Sequence, residues 1–159
     1  MTDADFRLAV EQYGDMVFRL AYSYTRSRAD AEDVMQETLL KLYTAQKPFE
    51  SPEHQRNWAI RVAVNECKHL LRTPWRLRTD PLEEAADTAV FDTPAQSELF
   101  RQVMALPPKY RAAIYLHYYE GYAVREIAAF MRANPSTVQT WLLRARGQLK
   151  LKLKEAESQ

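Results

Sequence analysis

The sequence predicts an all-α protein built from two small helical domains joined by a flexible acidic linker. Three observations carry this. Only three glycines occur in 159 residues, no alternating run of β-branched residues marks a strand, and apolar residues recur at helical spacing through most of the chain. At this length one medium domain or two small ones are expected, and the 47% apolar content is enough to fill real cores.

The first helix is expected from about Asp5 to Thr25, with Phe6, Val10, Tyr13, Val17, Leu20 and Tyr24 on its core face. After a turn at residues 26–29, Asp30 is expected to cap a second helix, with Asp33 at the reciprocal position of a capping box. Asp30, Glu32 and Asp33 thus cluster at a positive helix end, which by itself accounts for acids there at a few tenths to about 1 kcal/mol each. That account does not explain why Glu32 and Glu37 fall beside Gln36 on the outer surface, opposite an inner stripe of Met35, Leu39 and Leu42. Two prolines make residues 47–52 a loop.

A third helix is expected from about Glu53 to Arg72, with Ile60, Ala63, Cys67, Leu70 and Leu71 on its apolar face. Trp58, Arg61, Asn65, Lys68 and Arg72 line the opposite face. An aromatic followed by cationic and amide side chains suits a surface that stacks bases and neutralises phosphates. Trp58 itself also fits a core position, and the sequence leaves both readings open.

Residues 74–94 break the pattern with Pro74, Pro81 and Pro94 and with acids at Asp80, Glu83, Glu84, Asp87 and Asp92. They are expected to link a domain of residues 1–73 to one of residues 95–159. The second domain should open with a helix from about Ala95 to Ala105, broken by Pro107-Pro108. Another follows from Lys109 to Tyr119, with Tyr110, Ile114 and Tyr118 on one side and Gly121 as a left-handed cap.

The last stretch reads as a helix-turn-helix. Val124, Ile127, Ala128 and Met131 share one face of a short helix, and Asn134 with Pro135 suits the start of another. Val138, Leu142, Ala145 and Leu149 form its buried stripe, so Ser136, Thr137, Gln139, Thr140, Leu143 and Arg144 face outward. From Arg132 to Lys154 there are six basic residues, Arg146 among them, and no acidic one. Polar donors near a helix start, followed by cations of one sign, suit a helix laid in a major groove.

The net charge of +1 conceals a partition: residues 1–78 are nearly balanced, residues 79–98 hold six acids and no base, and residues 99–159 carry a net of +6. A single cysteine, Cys67, excludes an intramolecular disulfide and a multi-cysteine metal cluster. His54, His69 and His117 are scattered, no phosphate-cradling glycine loop or nucleophile constellation occurs, and neither a membrane span nor a signal peptide is seen. Neither catalysis nor a cofactor is expected, and the location expected is cytoplasmic.

Taken in order, these motifs resemble those of the extracytoplasmic-function (ECF) RNA polymerase sigma factors of the sigma-70 family, over nearly the whole chain. Asp30-Ala31-Glu32-Asp33, continuing through Gln36-Glu37 and Leu42-Tyr43, is similar to the family's segment that docks on the clamp helices of polymerase β′. Asn57-Trp58-Ala59-Ile60 through Asn65 and Leu70-Leu71-Arg72 resembles the helix engaging the −10 element, and the Pro48–His54 loop the one that captures a flipped base. Leu106–Arg111, Tyr118–Gly121, Glu126-Ile127-Ala128 and Thr137 through Arg146 resemble the −35 reading domain.

The resemblance implies binding to core RNA polymerase, at the β′ clamp helices and β flap, and to promoter DNA, with an anti-sigma factor as a further partner. It implies polymerase contacts at Asp30, Glu32, Asp33, Gln36 and Glu37, and −10 contacts at Trp58, Arg61, Asn65, Lys68 and Arg72. For the −35 duplex it implies Arg132, Ser136, Thr137, Gln139, Thr140, Arg144 and Arg146. Three positions depart from the family pattern: Ala123 stands where Ser or Thr is usual, Arg132 where Gly is frequent, and Trp141 where a basic residue is frequent.

The same residues also suit a helix-turn-helix regulator of another class, or an adaptor that binds polymerase and reads no promoter.

Overall fold

The computed structural model describes residues 2–46, 48–73 and 101–157, with side chains up to residue 149. The expected linker at 74–94 and the start of the helix expected at Ala95 lie outside the described residues. Among those described every regular element is a helix. The chain divides into two compact units, residues 1–80 and 81–159.

In the first unit α1 spans Asp3–Thr25, α2 Arg28–Thr44 and α3 Pro52–Leu71. A complete capping box sets the start of α1. The Thr2 hydroxyl accepts from the Asp5 N–H at 3.1 Å, and the Asp5 carboxylate accepts from the Thr2 N–H at 3.3 Å. Arg26 ends the helix in the left-handed region at φ 57°.

The cap of α2 corrects the sequence expectation. Ser27, only 5% exposed, accepts from the Asp30 N–H at 3.1 Å, so the helix begins at Arg28 and Asp30 sits inside its first turn. A hydroxyl closer to the turn takes the position that the acid was expected to hold. Ser51 caps α3 in the same way, through the His54 N–H at 3.0 Å, with Pro52 as the first helical residue.

Each of these three helices packs on the other two. Val17, Leu20 and Ala21 of α1, Ala31, Val34 and Leu42 of α2, and Ile60, Ala63, Val64 and Cys67 of α3 are essentially inaccessible. Burying one of the valine, leucine or isoleucine side chains contributes about 1.5–3 kcal/mol. The Tyr13 hydroxyl donates to the Pro52 carbonyl at 3.2 Å and ties the middle of α1 to the start of α3; burial pushes its phenol up, which keeps the donor protonated. The stripes differ in detail from those expected. Val10 is exposed, Met35, Leu39, Leu70 and Leu71 are half-buried, and Val34 with Thr38 carries the inner face of α2.

The second unit is described from residue 101. Residues 101–104 are helical, and Met104 and Leu106 are buried. Helix α4 spans Pro108–Ile114 and then loosens into a π turn at Tyr115–Tyr119, where the Glu120 N–H bonds the Tyr115 carbonyl at 3.2 Å. The expected shared face of Tyr110, Ile114 and Tyr118 is not formed: Ile114 is buried and Tyr118 is 51% exposed. The π turn inserts an extra residue, which rotates the side chains after it around the helix axis. Gly121 at φ 73° reverses the chain.

Helix α5 spans Val124–Met131, and α6 spans Pro135–Glu157. Both α4 and α5 pack on α6. Val138, Leu142 and Ala145 are buried as expected, as are Ile127, Ala128, Phe130 and Met131 of α5 and Ala112, Ala113 and Leu116 in and after α4. Leu149 is half-buried.

The cap correction has a direct test. Ser27→Ala is expected to lower unfolding stability in urea by about 1 kcal/mol. Asp30→Ala should cost only a few tenths, because it loses a dipole interaction and keeps the cap. The reverse order would restore Asp30 as the capping residue.

Candidate nucleic-acid interface

The long helix α6 carries the largest group of candidate residues. Its buried stripe at Val138, Leu142 and Ala145 fixes the rotation of the helix and directs the opposite side to solvent. Ser136, Gln139, Thr140, Arg144 and Arg146 are exposed, and Thr137 is half-buried. By helical spacing Ser136, Thr140 and Leu143 run down the centre of this face. Gln139 and Arg146 lie along one rim, with Thr137 and Arg144 along the other. The Thr140 hydroxyl donates to the Ser136 carbonyl at 3.0 Å, leaving its oxygen outward as an acceptor. Leu143 is 67% exposed in the middle of this polar face, a large apolar side chain turned outward.

Helix α5 approaches α6 through a tight turn. The Ala123 N–H donates to the Glu126 carboxylate at 3.0 Å, one half of a capping box whose other half alanine cannot supply. At the far end Arg132 is left-handed, φ 53°, and its N–H bonds the Ala128 carbonyl. The Ala133 N–H reaches the same carbonyl at 3.0 Å. A side chain in this conformation costs roughly 1–2 kcal/mol, which an arginine tolerates here with its guanidinium exposed. Trp141 is half-buried on the flank of α6, and the Lys109 ammonium lies over its ring, 5.8 Å from the centroid.

In the first unit the candidate residues of α3 fall on one stripe. Arg61, Asn65 and Arg72 are exposed, while Trp58 and Lys68 are half-buried. Trp58 meets Phe49 edge-on at 5.4 Å, and Phe49 meets His54 edge-on at 5.4 Å. The Glu50 N–H donates to His54 Nδ1 at 3.1 Å. Trp58 is therefore neither a core residue nor fully free: it anchors the Pro48–His54 loop against the start of the stripe.

On α2, Asp33 and Gln36 are exposed along one line, and that line continues through Leu40 and Tyr43. Leu40, 55% exposed, was not among the residues the sequence singled out for either face of this helix. Glu32 lies beside the line, paired with Arg28 at 3.6 Å, and Asp30 is half-buried. Glu37 is 4.0 Å from Lys41, whose ammonium is also bonded to Glu66 of α3. That bond holds the Lys41 ammonium above its ordinary range.

The chemistry available is recognition by charge, amides and rings. Cys67 is buried on the inner side of α3, and burial pushes its thiol up, far from a reactive thiolate. The His117 ring lies 2.8 Å, through Nδ1, from the Tyr122 carbonyl. Among the described residues no group of His, Cys, Asp and Glu is arranged to hold a metal, and no helix is long and apolar enough to cross a membrane.

A three-helix unit followed by a helix-turn-helix unit defines an all-α protein of two units on one chain. Comparison with known proteins gives each unit its counterpart. Residues 9–77 match the model of Sigma-70 region 2, and residues 96–149 that of Sigma-70 region 4. The chain is 30% identical to the ECF RNA polymerase sigma-E factor of Escherichia coli, covering 89% of this chain and 82% of that one. It is 31% identical to the ECF RNA polymerase sigma factor SigM of Mycobacterium tuberculosis, covering 82% and 68%.

Against the ECF sigma factor SigE of Mycolicibacterium smegmatis it is 29% identical and spans 58% of that relative's length. The fold matches the sigma factor RpoE of Bartonella quintana, solved with the anti-sigma factor NepR, at a TM-score of 0.74 and 22% identity over 94% of this chain and 97% of that one. The chain belongs to the ECF sigma factors of the sigma-70 family.

The left-handed arginine separates turn geometry from DNA contact. Arg132→Gly is expected to match or exceed the parent's thermal stability, since strain is relieved. It should also bind −35 duplex more weakly, with a shallower dependence on salt. Binding indistinguishable from the parent would leave Arg132 with no DNA contact.

Proposed function

We infer that this chain is a promoter-specificity subunit, acting in the cytoplasm by binding and not by bond chemistry. It joins core RNA polymerase, reads −35 and −10 elements, and stabilises the opened strand. The observation that carries the reading is the polar and cationic face of α6, fixed outward by Val138, Leu142 and Ala145, in a chain that matches both sigma regions.

In this reading residues 95–159 take the −35 duplex. Gln139, Thr140 and Ser136 present hydrogen-bonding groups to base edges, and Arg132, Arg144 and Arg146 neutralise phosphates around them. Residues 1–73 take polymerase through the α2 line of Asp33 and Gln36 with Asp30, Glu32 and Glu37 around it. The α3 stripe of Trp58, Arg61, Asn65, Lys68 and Arg72 takes the separated −10 strand. Unstacking costs a few kcal/mol per step, so a surface that binds only the open strand shifts the equilibrium toward melting. Two weak sites on one chain gain specificity through effective concentration once polymerase fixes their spacing. An anti-sigma factor that masks these surfaces completes the reading; the Bartonella relative was solved with such a partner.

The deciding experiment is run-off transcription with purified core polymerase over a library of fragments from the source genome, with and without the protein. New transcripts sharing two spaced elements are the expected result. Polymerase binding without transcripts would favour an adaptor, and silence without binding would leave a helix-turn-helix regulator. Asp33→Lys should abolish binding to core polymerase while −35 duplex binding persists. Arg144→Ala should weaken −35 binding and lower the slope of log K against log salt by about 0.9; an unchanged slope would remove Arg144 from the interface.

A further inference from the structure

The seating of Lys109 on Trp141 has a use that the face of α6 suggests. Trp141 is four residues beyond Thr137 and three before Arg144, so it lies next to the rim those two residues form. Along that rim, from Thr137 to Arg144, Arg144 is the only cation that α6 itself supplies. Lys109 comes from a different helix, at the start of α4, yet its ammonium stands 5.8 Å from the Trp141 ring centroid. Its side chain is exposed and no acid is paired with it among the described residues. Helix α4 packs directly on α6, which keeps the two residues in register. An indole face attracts an ammonium without neutralising it, so the charge stays available to a third group.

We propose that Lys109, held over the Trp141 ring, is a phosphate-binding residue at the edge of the −35 interface and that Trp141 is its positioning residue. This rests on α6 being the duplex-reading helix. A lysine on a free stem loses several rotors when it meets a phosphate. One already laid across an aromatic ring loses fewer, so the same contact comes at a smaller entropic penalty. The bond is an ammonium to a phosphate oxygen and carries no base preference. Lys109 therefore adds affinity and fixes the angle of α6, while the amides and hydroxyls on the central face select the sequence.

The test uses the full-length protein and a −35 duplex from its own promoter, titrated over a series of salt concentrations. Lys109→Gln is expected to lower the slope of log K against log salt by about 0.9, the loss of one phosphate contact. It should weaken cognate and scrambled duplexes by the same factor. The double variant Lys109→Gln with Trp141→Arg places a cation on α6 itself and is expected to restore the slope, as it should if that rim faces a phosphate. Arg144→Ala runs alongside as the internal standard. A slope lowered by Arg144→Ala but untouched by Lys109→Gln overturns the proposal and leaves the lysine stem as cover for the indole. A double variant that stays at the Lys109→Gln slope overturns it too. Slopes unchanged in every variant would mean that α6 does not read the duplex, and both readings would fall together.

Discussion

One constraint governs both units: a helix can present a recognition face only if the opposite face is pinned. In α6 the pin is three residues wide, Val138, Leu142 and Ala145, all buried against α4 and α5. A shift of one residue in that stripe would turn the helix by about 100° and carry Gln139 and Thr140 off the outward face. The same logic holds in α3, where Ile60, Ala63, Val64 and Cys67 are buried and Arg61, Asn65 and Arg72 are thereby exposed. Hydrophobic burial supplies the energy in both cases, and its periodicity supplies the aim.

Caps set where each helix starts, and so where the polar stripe begins. Ser27 and Ser51 each satisfy a backbone N–H in the first turn, and Thr2 with Asp5 does so reciprocally. The first helix of the helix-turn-helix, α5, is less well served, since Ala123 brings only the Glu126 half of its box and Arg132 closes the turn under strain. This part of the fold depends on tertiary packing more than on its own ends.

Much of this was legible in the residues. The all-helical class and the buried stripe at Val138, Leu142 and Ala145 followed from spacing alone, because four or more apolar residues agreed on one phase. Short or crowded signals read less well. In α2 the run Val34-Met35 and Leu39-Leu40 offers two competing stripes, and the choice between them turns on Thr38, a polar residue that is nevertheless fully buried. Asp30 and Ser27 are both good caps three residues apart, and composition does not rank them; the chain direction leaving Arg26 does. The π turn at Tyr115–Tyr119 left no sign in the pattern, since a five-residue repeat over one turn looks like noise. The seat of Lys109 on Trp141 was equally silent, because it joins positions 32 residues apart across two helices.

The burial of Cys67 also gives this molecule a built-in clock. Its thiol is sealed in the centre of the three-helix unit and is the only one in the chain, so a thiol reagent reaches it only when that unit opens. The pace of its modification therefore counts openings of the first unit alone, with no dye, tag or substitution to disturb it. Any partner that grips the closed form slows that count, and the slowing measures how firmly it holds.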